Sequence, residues 1–182
     1  ASLDEFIKIV FSLRALKAYQ VSFFLSLISS LLNTLMGFTI AWVLVRYRMP
    51  FKGFFDALID IPFALPTSVA GVSLTWLYGS GGWFGRYLEL MGIKVIYTQL
   101  GILVALIFVS FPFVVRTVMP VLKEIDIEVE ESARCLGASR WQIFVRIILP
   151  IVLPALLTGF TLAFARALGE YGSVIFISGN QP

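Results

Sequence analysis

The chain has 182 residues, 59% hydrophobic and 14% charged, with 14 Lys and Arg against 11 Asp and Glu. A soluble domain carries about 25% charged residues, so the composition excludes an ordinary water-soluble globule, and a net charge of +3 gives no basis for nucleic-acid binding. No His and a single cysteine, Cys135, exclude histidine metal sites, histidine-based catalysis and an internal disulfide within this chain.

Charge-free apolar runs cover residues 21–45, 61–85, 95–115 and 147–165. Apolar runs of about 18 residues or more read as transmembrane helices. The expected fold is all-α, a polytopic helix bundle with about four spans, because a transmembrane barrel needs short alternating segments instead. Residues 1–182 form one expected domain, with a charged loop at 123–150. The start at Ala1 and the end at Pro182 inside a new apolar run read as a fragment lacking a first and a last span.

Ser2 and Glu5 fit a capping box. Leu3, Phe6, Ile7, Val10, Leu13 and Leu16 then follow at helical spacing, as in a helix lying at the membrane interface. In the first span Ser22, Ser26, Ser30 and Thr34 recur every four residues, a small-residue stripe that lets helices approach closely. Asn33 needs a hydrogen-bond partner there. Arg46, Arg48 and Lys52 mark a cytoplasmic loop by the positive-inside rule. Asp56 and Asp60 are expected in the wet first turn of an interfacial helix, where the helix dipole favours acids; an acid–base pair or metal site is the other reading.

Pro62 and Pro66 interrupt the second run. A broken helix at membrane depth either lines a pathway or kinks for packing. The segment 79–94 is expected to be a glycine-rich loop whose Trp83, Phe84 and Tyr87 form an aromatic belt. Arg116, ending the third run, is expected to snorkel to the cytoplasmic interface. The fourth run carries Pro150 and Pro154 in its first turns and a second small-residue stripe at Gly159, Ala163 and Ala167. Arg166 and Glu170 stand four apart just beyond, either a self-neutralising ion pair or part of an anion route.

The interval 123–150 has its own internal pattern. Glu130 precedes Arg134 by four residues, a favourable helical pair. Gly137 should end that helix in the left-handed conformation. Ser139 should cap a second helix with Gln142 as its partner. Trp141, Ile143 and Phe144 give that helix an apolar face, so the expected unit is a rigid helix–turn–helix knob.

Glu131-Ser132-Ala133, Gly137, Ile147, Leu149 and Pro150 follow the spacing EAAxxxG(x9)IxLP, with Ser132 in place of the pattern's first alanine. The loop resembles the EAA loop of importer permease subunits of ATP-binding cassette transporters. The segments 60–71, 97–101, 113–122 and 169–172 resemble the sulfate/thiosulfate permeases, the T type most, with the W type and the molybdate permeases also similar. The resemblance implies a type I importer permease of the MetI-like fold, in a bacterial inner membrane or a chloroplast membrane. It implies that the chain is not an enzyme. Mg–ATP would be bound by two ATP-binding cassette subunits, against which Glu131 to Gly137 would dock as a coupling helix. Further implied partners are a second, W-type permease, an extracytoplasmic sulfate-binding protein and membrane lipid. For a dianion crossing the bilayer, the pathway candidates are Arg166, Glu170 and free amides where Pro62 and Pro66 break their helix. A molybdate or tungstate permease is the near alternative. An intramembrane enzyme using Asp56, Asp60 or Glu170 and an ATPase-independent channel are the distant ones.

Overall fold

The computed structural model describes residues 8 and 10–179. The predicted capping box at Ser2 and Glu5 lies outside them, as do Leu3, Phe6 and Ile7. Helix α1, Leu13–Arg46, starts where the Ser12 hydroxyl accepts from the amide of Ala15 at 3.3 Å. It contains no proline, so its ladder runs unbroken, as hydrocarbon demands of any spanning segment. Helices α2, Lys52–Ala64, and α3, Thr67–Tyr78, follow. Then come α4, Trp83–Leu90, and α5, Gln99–Glu124. Beyond them lie α6, Ile127–Cys135, and α7, Arg140–Ile143, which passes through a π-helical turn, Phe144–Ile148, into α8, Leu149–Leu168. Helix α9, Gly172–Ser178, is the last described element.

Among the described residues three helices are long and apolar enough to cross a membrane: α1, α5 and the continuous stretch Arg140–Leu168. The pair α2–α3 adds a fourth if it counts as one span, but it is bent by 112°. The second apolar run is therefore no straight crossing. Its break falls at Leu65–Pro66 and not at Pro62, which sits inside α2. The proline ring of Pro66 clashes with a helical residue before it, and Leu65 accordingly adopts φ −90°, ψ 133°.

Helices α1, α5 and α8 pack into the main core, with Ala41, Leu44, Val114, Val115, Val118, Val152 and Ala163 buried. Val114 sits between two glycines. A Cβ on Gly37 would lie 2.8 Å from its Cγ1, and a Cβ on Gly159 would lie 3.1 Å from its Cα. The small-residue stripe of α8, Gly159, Ala163 and Ala167, is buried as expected. The stripe of α1 is displaced: Ser22 is exposed, and the buried line runs through Ser26, Ser30, Asn33, Gly37 and Ala41. Asn33 finds its partners on α5, donating to the Ser110 hydroxyl at 2.9 Å and the Ile107 carbonyl at 3.1 Å.

Other boundaries also move. Helix α5 starts later than the third run and continues past Arg116 to Glu124, carrying Pro112 and Pro120 within it. The predicted loop 79–94 contains α4, whose Trp83, Phe84 and Tyr87 are exposed. The second helix of the predicted knob is not a separate piece, since the helix begun at Ser139 becomes the third long span.

Candidate functional site

The charged stretch is built by local rules. Asp126 precedes α6, and Glu128 and Glu130 fall in its first turn, where the helix dipole favours acids. At the far end Gly137 has φ 85°, and its amide donates to the Arg134 carbonyl at 2.9 Å. The Ala138 amide donates to the Ala133 carbonyl at 3.0 Å. These two bonds form a Schellman motif, which requires a left-handed residue at Gly137. The next helix opens with a complete capping box, Gln142 amide to Ser139 hydroxyl at 3.3 Å and Ser139 amide to Gln142 Oε1 at 2.8 Å.

Helix geometry sorts the predicted coupling residues. Glu131, Ser132 and Gly137 are exposed, and Leu136 is the most exposed of the large apolar side chains at 89%. Ala133 is half-buried against the main core. Ile147 and Leu149 also pack on that core, with Pro150 exposed in the first turn of α8. The pattern thus divides into an outward group on and after α6 and an inward group that seats the start of α8.

Glu130 points the other way. Its Oε1 lies 2.5 Å from Nη2 of Arg46, the last residue of α1, while its predicted partner Arg134 is 3.5 Å from Oε2. The Arg46 contact is ionic and out of line for a directed hydrogen bond. The Arg46 guanidinium also lies 5.5 Å from the Trp42 ring centroid, within cation–π range.

A second polar junction joins α2 to α5. Arg116 donates from Nε and Nη2 to the two carboxylate oxygens of Asp60, at 2.8 and 2.7 Å. It also donates to Asp56 Oδ1 at 3.3 Å and to the Asp56 carbonyl at 3.0 Å. Asp56 and Asp60 therefore do not occupy the first turn of their helix, and Arg116 does not reach out to solvent alone. Cation and carboxylates bordering apolar runs have reason to seek one another, but the sequence does not say which cation meets which carboxylate. Among the described residues no group of three or more His, Cys, Asp or Glu could hold a metal ion.

Arg166 and Glu170 form an ion pair at 2.6 Å. The Glu170 side chain is 1% exposed, and its Oε1 accepts from the amide and hydroxyl of Ser173 at 2.8 and 2.9 Å. Ser173 in turn lies against α3, where a Cβ on Gly71 would stand 2.7 Å from the Ser173 Cα. The pathway candidates Arg166, Glu170 and Pro66 are thus carried by elements that touch. Pro66 precedes the first turn of α3, where no side chain caps the free amides. Pro62, inside α2, opens no such group.

Comparison with known proteins gives a consistent picture. A family profile described as binding-protein-dependent transport system inner membrane component matches residues 33–182. The protein of Prototheca wickerhamii named probable sulfate transport system permease protein cysT is 54% identical over 168 residues, covering 92% of this chain and 66% of the relative. The protein of the same name from Nephroselmis olivacea is 50% identical over 181 residues, 64% of its length. The sulfate transport system permease protein CysT of Escherichia coli K12 is 48% identical over 179 residues, 65% of its length. The chain therefore spans a little under two thirds of the length of these relatives. The profile match covers most of the sequence, including both polar junctions and the charged stretch, and on that ground the chain belongs to the family of binding-protein-dependent transport system inner membrane components.

Proposed function

We propose that the chain is the membrane-embedded part of a permease subunit that moves sulfate or thiosulfate inward, driven by ATP hydrolysis on partner subunits. The observation that carries the reading is identity near 50%, sustained over almost the whole chain, with relatives named as sulfate transport permeases. Membership of the binding-protein-dependent family supports two kinds of partner, a cytoplasmic ATPase and an external oxyanion-binding protein. The finer assembly has two ATP-binding cassette subunits and a second, W-type permease.

In this reading Glu131, Ser132 and Gly137, with the protruding Leu136, enter a cleft of the ATPase. Ala133, Ile147 and Leu149 stay with the bundle, so a push on the outward group is delivered to the core. Sulfate must exchange water for fixed donors in low dielectric. The uncapped first turn of α3 after Pro66 offers amide donors for this. Arg166 is already neutralised by Glu170, and Glu170 is saturated by Ser173. That arrangement makes the pair a wall of the route and a poor resting site for an anion.

The test is reconstitution of the full-length protein with the second permease, the ATPase and an oxyanion-binding protein in proteoliposomes. ATP-dependent uptake of radiolabelled sulfate is expected, resistant to equimolar molybdate. Uptake of molybdate with none of sulfate transfers the reading to the molybdate or tungstate permeases.

A further inference from the structure

We propose that Arg46 and Glu130 are positioning residues that couple the charged stretch to α1, so that a displacement of α6 is delivered along the first span. The inference rests on the transport reading above and adds the residue-level link between the coupling surface and the bundle.

Helix α6 has few other attachments. One face, carrying Glu128, Glu131, Ser132 and Arg134, is exposed. The opposite side touches the core only through half-buried Ala133, with Ile125 before the helix and Ala138 after it. These contacts are apolar and non-directional. The Arg46–Glu130 contact is of a different nature. It joins residues far apart in sequence at 2.5 Å, and the two side chains are only 15% and 11% exposed. A charge pair so shielded from water resists separation, because each partner left alone is a buried charge.

The position of Arg46 gives the contact its reach. It is the last residue of α1, the end where the helix dipole favours a cation. By the rise of an α-helix, the 34 residues of α1 make a rod of about 50 Å. Ser29 and Asn33, which hydrogen-bond to α5, lie along that rod. A tug at Arg46 therefore acts on the interface at the centre of the bundle. The same guanidinium meets Trp42, and Trp42 packs on Phe144 with ring centroids 5.9 Å apart. Phe144 opens the π-helical turn that leads into α8. Arg46 is thus where the coupling helix, the first span and the start of the third long span meet. Its Nε is buried without an acceptor among the described residues, so the guanidinium keeps bonding capacity that a second arrangement of these elements can use.

Glu130→Gln removes the charge attraction at constant side-chain size, and Arg46→Gln removes it with a shorter side chain. In the reconstituted complex, each is expected to raise the ATP consumed per sulfate taken up by about tenfold, within the usual range of coupling between sites. The reversed pair, Arg46→Glu with Glu130→Arg, is expected to recover most of the wild-type ratio. A merely structural role would lower assembly or uptake and hydrolysis together, without changing the ratio. A wild-type ratio in both single variants overturns the proposal.

A second measurement decides the matter independently of the substrate. Spin labels on Cys135 and on Leu35→Cys, both exposed, report the distance between the end of α6 and the middle of α1. Glu130→Gln is expected to broaden that distribution in the resting protein, and an unchanged width overturns the link. If wild-type complexes take up no sulfate, the transport reading fails, and the label distances still decide whether Glu130 ties α6 to α1.

Discussion

Glu130 and Glu131 are neighbours in sequence and about 100° apart around a helix, so one is buried against Arg46 and the other faces outward. Gly137 shows a comparable division of labour. Nothing lies within 4 Å of where its Cβ would stand, yet its φ of 85° excludes β-branched residues on backbone grounds. Gly137→Val therefore moves the chain and not a neighbour. The left-handed conformation costs about 1–2 kcal/mol for a residue with a Cβ. Sulfate uptake is expected to fall by about tenfold for such a penalty on one conformation, while the protein still inserts, as followed by membrane fractionation. Full uptake would separate the Gly137 turn from coupling. The features legible at this scale were those made within one turn of helix: the glycine stop, the Ser139–Gln142 box and the Arg166–Glu170 pair. Arg116 with Asp60, 56 positions apart, and Arg46 with Glu130 were not, because only the packing of distant helices brings them together. The helical i,i+4 rule pairs Glu130 with Arg134, and that pair is present at 3.5 Å; the shorter contact with Arg46 is added by the packing of α6 against the end of α1.

At the scale of elements, hydropathy located the long helices and misjudged their ends. A charge marks the end of an apolar run in the sequence, but Arg116 is answered by carboxylates and so need not end α5. The residue before a proline is biased away from the helical region; Leu65 obeys this before Pro66, whereas Ile61 stays helical before Pro62 and α2 carries on to Ala64. The contact between α3 and α9 rests on the absence of a side chain at Gly71. Gly71→Leu meets backbone at Ser173 that cannot yield, and overpacking of this kind costs about 1–3 kcal/mol. The melting temperature in detergent is expected to drop by a few degrees for a chain of this size. Gly53→Leu, with nothing within 4 Å of its Cβ, serves as the control. Equal melting temperatures for the two variants would contradict the close approach of α3 and α9.

For the whole molecule, the long apolar helices, their lipid-ready outer faces and the family match make this a multi-pass integral membrane protein. The Arg46–Glu130 contact places the end of α1 and the charged stretch on one side of it. Arg46, Arg48, Lys52, Lys123, Arg134, Arg140 and Arg146 all belong to that side, which the positive-inside rule assigns to the cytoplasm. Cys135 is exposed there and is the only cysteine. A membrane-impermeant maleimide is expected to label it in inverted vesicles and not in right-side-out ones; the converse pattern would reverse the orientation. The π-helical turn at Phe144–Ile148 has a consequence for how such chains change length over time. Ile143, Ile148 and Val152 all face the core although the first two are five positions apart, which an α-helix would splay to different sides. The wide turn holds one residue more than an α-helix needs. A deletion there can be absorbed by tightening the turn, whereas a deletion elsewhere in α8 rotates everything beyond it by about 100°. The turn Phe144–Ile148 is therefore the place in this stretch able to lose a residue without turning the third long span away from its neighbours.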